Sequence, residues 1–140
     1  MAALFNTVPI YPGSVLSAPL NLAVANTARD GSGVLNLLVQ ANAAATAAGK
    51  GAIVQRINVV SAAAIGASTA MVCRLWRVSA GAVITLEDEV ALVTATTSNT
   101  VVGTRTVFNR TNILLAPGEA LKVTQSIAEA VAYCAEYGEY

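Results

Sequence analysis

From residue 51 onward the chain runs as short aliphatic stretches, broken about every eight to twelve residues by turn formers. Within the stretches apolar and polar side chains alternate, the period of half-buried β-strands. Residues 52–61 are rich in Ile and Val. Across residues 69–79, Met71, Cys73 and Leu75 share one face, and Val72, Arg74, Trp76 and Val78 the other. Ala80-Gly81 reads as a hairpin turn into an apolar run at 83–86. The dense charge run Glu87-Asp88-Glu89 follows, and 90–94 resumes the apolar strand. After a polar turn at 96–99, residues 100–108 form a β-branched strand with Val102, Thr104, Thr106 and Phe108 on one face. A turn at 109–112, a short strand at 113–115 and a Pro-Gly turn at 116–119 come next. Leu121, Val123 and Ile127 then alternate with Lys122, Thr124 and Ser126, with Gln125 interrupting the apolar face. In the last strand, 131–137, Val131, Tyr133, Ala135 and Tyr137 share a face.

Upstream, residues 34–40 form one more turn-bounded aliphatic strand behind the turn cluster Arg29-Asp30-Gly31-Ser32-Gly33. The Ala-rich residues 41–49 carry no large apolar side chain and predict a loop or a single helical turn. About eight short strands without a βαβ unit predict an all-β fold. The expected architecture is a single antiparallel β-sandwich of jelly-roll or Greek-key type, with an extended N-terminal arm.

The arm is predicted from a different pattern. Residues 1–28 contain no charged side chain, and three of the four prolines (Pro9, Pro12, Pro19) fall there. Proline lacks the backbone donor and has a fixed φ, so this stretch cannot run as a long helix or a central strand. It is also too apolar for a free polar tail. The sequence therefore divides into an extended apolar arm at 1–28 and a sandwich domain at 29–140. The arm is expected to lie mainly on a neighbouring subunit, with Leu4, Phe5, Val8, Ile10, Tyr11, Leu16 and Leu20 in the interface. The C-terminal Tyr137 and Tyr140 belong to the same expectation, because Tyr combines rigid apolar area with a polar tip.

Composition adds to this. One hundred and forty residues suit one domain, which buries about two-thirds of its unfolded surface. Only 11% of residues are charged and the net charge is zero, against about 25% charged in a typical soluble domain. Either partners cover much of the surface, or Thr, Ser, Asn and Ala line it. No apolar run reaches the ~20 residues of a transmembrane helix, and residues 1–5 lack the positive start of a secretory signal. Eight scattered Lys and Arg make no basic stripe for nucleic acid. The expected partners therefore include no nucleic acid and no membrane.

Candidate chemistry is sparse. There is no histidine, so a Ser-His-Asp or Cys-His device cannot be built within one chain. Lys50 lacks the first Gly and the Ser or Thr of a phosphate-binding loop. Glu87, Asp88 and Glu89 read as a charged hairpin tip or edge that discourages strand pairing, with a Ca²⁺ or Mg²⁺ site or a salt-bridge contact to a partner as alternatives. Arg74 and Trp76 share a face. Either Trp76 covers one end of the sandwich while Arg74 passes it, or the pair forms a cation–π ligand platform. Cys73 and Cys134 are expected to be free thiols. No catalytic residue, metal ligand or cofactor is assigned, and the chain is not expected to be an enzyme.

Several stretches resemble the small β-sandwich virion proteins of tailed bacteriophages that decorate or cement the capsid shell. They are Ile-Val-Gln-Arg-Ile-Asn-Val-Val (53–60), Val-Cys-Arg-Leu-Trp (72–76), Leu-Leu-Ala-Pro-Gly-Glu-Ala-Leu-Lys-Val (114–123) and the ending Glu-Tyr-Gly-Glu-Tyr. The resemblance implies a structural subunit without cofactor, arranged as a homo-oligomer on a particle. The resulting expectation is a capsid decoration or cement subunit that stabilises the shell through inter-subunit contacts. Its partners would be the major capsid protein and copies of itself, and its location the virion, assembled in the host cytoplasm. The alternative is a receptor- or glycan-binding sandwich of a phage tail or fibre, carried by Trp76 and the loops.

Overall fold

The computed structural model describes residues 14–41, 51–62, 66–67, 70–93, 96–97 and 103–139, with 14, 15, 66, 67, 96 and 97 described by their backbone. Its strands are β1 (Ser14–Leu22), β2 (Asn36–Gln40), β3 (Ala52–Ser61), β4 (Gly66–Ala67), β5 (Met71–Val78), β6 (Ile84–Leu92), β7 (Thr96–Thr97), β8 (Arg105–Val107), β9 (Ile113–Leu115), β10 (Ala120–Gln125) and β11 (Val131–Glu139). Two antiparallel sheets pack face to face as the expected all-β sandwich. Sheet A has the order β1-β11-β3-β8, with β9 also on β3. Sheet B has the order β2-β10-β5-β6, and β4 and β7 form a separate ribbon.

Alternation sorts the side chains as the pattern predicts. Ile57 and Val59 of β3 and Val131, Tyr133 and Ala135 of β11 point inward and are buried. Met71, Cys73 and Leu75 of β5, with Leu121 and Val123 of β10, meet them from sheet B. Each fully buried aliphatic side chain contributes roughly 1.5–3 kcal/mol. Gln125, the polar break in the β10 pattern, lies on the inward face and is buried. Its amide nitrogen donates to the carbonyls of Ile127 and Glu129, and its Oε1 accepts from the Tyr133 hydroxyl. It thus holds the turn that carries the chain from β10 in sheet B to β11 in sheet A. Burial, with the neighbouring Cys73 thiol, pushes the Tyr133 hydroxyl pKa far up, so it stays a donor.

Three expectations change. The first is the arm. Ser14–Leu22 is an ordered edge strand of the chain's own sheet A, paired residue for residue with β11 from Ser14↔Glu139 to Leu22↔Val131. Its boundary with the sandwich is therefore not at residue 28. Pro19 sits inside this strand opposite Cys134, in the edge position that a residue without an N–H can occupy. The second is the charge run, which interrupts no strand: β6 runs continuously through it, with a register shift that leaves Glu87 as the extra residue between Leu86 and Asp88. The bulge accommodates three consecutive charged residues in a strand that would otherwise alternate them between faces. The third is the strand expected at 100–108, which is confined to Arg105–Val107 among the described residues; Phe108 lies just beyond it and is buried.

Candidate functional site

Register places an apolar surface on the outside of sheet B. One row across the sheet reads Leu37, Lys122, Trp76, Leu86, and the next reads Gln40, Ala120, Val78, Ile84. The outer face of a solvated antiparallel sheet is normally polar. Here Leu37, Ile84 and Leu86 are 48%, 40% and 36% exposed, and Lys122 is the one charged side chain in the two rows. Val34 and Val83, in the loops that precede β2 and β6, are 68% and 65% exposed.

The third row, Thr124, Arg74, Glu89, is covered by the chain's own segment 23–35, which links β1 to β2. Asn26 organises this strap. Its backbone N–H donates to the Gln125 carbonyl at 2.8 Å, its side-chain amide donates to the carbonyls of Ser32 and Val34, and its Oδ1 accepts from the Ala28 N–H. Gly31 has φ +80°, and a Cβ there would lie 2.6 Å from Ile84 Cγ2, with the Trp76 ring next to it. Glycine thus supplies both the left-handed turn and the close approach.

Under the strap, Arg74 and Trp76 are buried, at 4% and 2% exposure, although both point away from the sandwich core. Trp76 Nε1 donates to Thr124 Oγ1 at 2.9 Å. Trp76 is therefore a covered packing residue rather than an open ring platform. Arg74 Nε donates to Glu89 Oε1 at 2.8 Å, and the other Glu89 oxygen accepts from Arg29 of the strap at 2.8 Å. Glu89 ties a buried cation to the segment that covers it.

The rest of the acidic run faces the other way. Glu87 accepts from Arg77 at 3.2 and 3.3 Å and from Arg110 at 2.8 Å. Asp88 accepts from the backbone N–H groups of Arg110 and Glu89. Arg77 also donates to Glu119 and to the Leu114 carbonyl. These bonds pin edge strand β6 of sheet B to the turn between β8 and β9 of sheet A. The three carboxylates thus go to different partners, and among the described residues no three Cys, Asp or Glu side chains group to hold a metal ion. Burial pushes the Glu87 carboxyl pKa up, but the hydrogen bonds and charges of Arg77 and Arg110 outweigh it and leave the pKa below the ordinary value of 4.5. A carboxyl with a lowered folded pKa contributes stability above its unfolded pKa and loses it as pH falls through the folded value. Stability is therefore expected to drop below about pH 4.5, and Glu87→Gln to flatten that drop; urea midpoints from pH 6 to pH 3 check both.

The residues expected at an interface separate into two groups. Leu16, Leu20 and Tyr137 are partly buried on sheet A, where β1 pairs Leu16 with Tyr137. Leu20 and Tyr137 pack against the chain's own core. For these residues, contact within the chain replaces the expected placement on a neighbour. Leu4, Phe5, Val8, Ile10, Tyr11 and Tyr140 lie outside the described residues.

Cys73 and Cys134 are free, as expected. Cys73 is in the core, where burial raises its pKa. Cys134 faces the outside of sheet A beside Asn58. The outer face of sheet A is otherwise more polar, with Arg56 donating to Glu136 at 2.9 Å, an exposed pair worth about 0–1 kcal/mol.

The sequence pattern placed Arg74 and Trp76 on one face but carried no sign of the strap above them. The turn cluster at 29–33 marks where that strap bends, and Asn26 carries no recognisable signal. No protein-family model, curated protein or solved structure matches this chain.

Proposed function

We propose that this chain is a structural assembly subunit, a capsid decoration or cement protein of a tailed bacteriophage, acting through contacts with the major capsid protein and with copies of itself. The observation that carries the assembly reading is the outside of sheet B. Leu37, Ile84 and Leu86 stay exposed there, while Arg29, Arg74, Arg77, Arg110, Glu87, Glu89 and Glu119 are tied to one another. These paired charges brace the fold, and the exposed apolar side chains are left for a partner. The phage assignment rests on the sequence resemblance. A subunit that binds only the assembled shell would stabilise it by mass action.

The test is occupancy on particles. A chain lacking residues 2–13 retains every described strand, so it is expected to fold. Its occupancy on purified particles, read by quantitative gel or cryo-EM density, is expected to fall at least about tenfold, a loss of about 1.4 kcal/mol in binding. Undiminished occupancy would remove residues 2–13 from the binding surface. Failure of the full chain to bind any such particle would overturn the phage assignment.

A further inference from the structure

We infer that the strap is a flap: its tip, residues 27–31, lifts off sheet B as one body about a neck at Asn26 and uncovers Trp76 while the sandwich stays folded. The first ground is how the strap is built. Most of its hydrogen bonds are to itself. The Asn26 side-chain amide donates to the Ser32 and Val34 carbonyls, both at 3.0 Å, and closes the loop at its neck. Inside the loop the Ala28 N–H donates to Asn26 Oδ1, and the Ser32 N–H to Asp30 Oδ1. The neck itself is pinned to the sheet. The Asn26 N–H donates to the Gln125 carbonyl, and Arg74 Nη1 reaches the Asn26 carbonyl at 3.4 Å. A compact loop whose ends are held together by its own bonds keeps its shape when it moves.

The second ground is what holds the tip down. Residues 27–31 are Thr, Ala, Arg, Asp and Gly, so the tip buries no large apolar side chain on the sheet. Two contacts fasten it. Arg29 donates to Glu89 at 2.8 Å, with the arginine side chain 65% exposed. The backbone of Gly31 is buried against Ile84 and Trp76. An exposed ion pair contributes little, and a segment with few buried apolar contacts opens at a lower free energy than the whole domain. Glu89 keeps Arg74 as its partner when Arg29 leaves, so opening strands no buried charge.

The third ground is what lies beneath. Trp76 is buried on the outer face, and its Nε1 is held on Thr124 Oγ1, which is buried with it. In its row Trp76 stands between Lys122 and Leu86, with Leu37 beyond Lys122. With the tip down, Leu37 and Leu86 are separate exposed positions at opposite edges of the sheet. With the tip lifted, the Trp76 ring joins them. The flap therefore decides whether this row is one apolar surface or two isolated side chains, and the Arg29–Glu89 pair is its latch.

Native-state hydrogen exchange of the full chain, followed by NMR, tests this. Trp76 is the only tryptophan, so there is one indole N–H signal. Relative to its free rate, that N–H is expected to exchange at least about tenfold faster than the amides of Val59 and Tyr133 in the central strands, and with a weaker dependence on low urea. Arg29→Ala is expected to raise the indole rate about fivefold. Arg110→Ala, which removes a similarly exposed arginine from the Glu87 pair, is expected to leave it unchanged. An indole N–H that exchanges together with the central strands, with the same urea dependence, overturns the flap. An indole rate unchanged in Arg29→Ala, or raised equally by Arg110→Ala, overturns the latch.

Discussion

Removing residues 2–22 is expected to abolish cooperative folding, whereas removing residues 2–13 leaves the fold standing. The difference is β1. Leu22 is buried, Leu20 packs against the core, and Leu16 is partly buried opposite Tyr137. At roughly 1.5–3 kcal/mol for full burial of such a side chain, the three leucines alone contribute about 5 kcal/mol. Loss of β1 also uncovers the edge of β11, whose Val131, Tyr133 and Ala135 are buried. A domain's whole stability is about 5–15 kcal/mol, so the strand carries a large share of it. Circular dichroism during urea unfolding reads the outcome. A sigmoidal transition within about 1 kcal/mol of the full chain, in the protein lacking 2–22, would show that β1 is dispensable and restore the expected boundary near residue 28.

Breaking the Arg74–Glu89 pair is expected to have the next largest effect. Arg74 has a side chain only 5% exposed, and Glu89 is its carboxylate partner at 2.8 Å. Glu89→Ala leaves that guanidinium buried, with the 3.4 Å contact to the Asn26 carbonyl remaining. Such a change costs about 3–5 kcal/mol. Replacing both partners, Arg74→Met with Glu89→Leu, is expected to recover most of the loss, since an apolar pair needs no counter-charge. Arg29 also bonds Glu89 but is well exposed, and Arg29→Ala is expected to cost at most about 1 kcal/mol. Urea midpoints of the four proteins check the order. Equal losses for Glu89→Ala and Arg29→Ala would show that burial of Arg74 is not what makes the pair costly to break.

The strap explains why both residues are sensitive although they point away from the core. In a two-sheet fold the outer face is ordinarily solvated. Here residues 23–35 cross from one sheet to the other over that face and shield Arg74 and Trp76. The strap is held mainly through Asn26 and Glu89, and the glycine turn at Gly31 lets it lie against Ile84 and Trp76.

What could be read from the sequence alone was whatever depends on neighbours along the chain. The inward faces of β5, β10 and β11 follow from a period of two, and the turns at Ala80-Gly81 and Pro117-Gly118 follow from local backbone preference. The exclusion of a central strand from residues 1–28 holds where Pro19 lies, in the edge strand Ser14–Leu22, because a missing donor is a local property. Which edge accepts that segment is not local: β1 and β11 meet across more than a hundred residues, and only the closed sheet shows the edge of β11 waiting for it. The acidic run shows the same limit. Three consecutive carboxylates are visible in the sequence, but their division among Arg77 and Arg110, a backbone turn, and Arg74 with Arg29 needs a bulge and two packed sheets. The absence of charge in residues 1–28 marked from the outset a segment that needs a surface. The tertiary structure divided it: Ser14–Leu22 covers the chain's own sheet, because burying those leucines against β11 removes apolar area from water at once, and residues 23–28 begin the strap over sheet B.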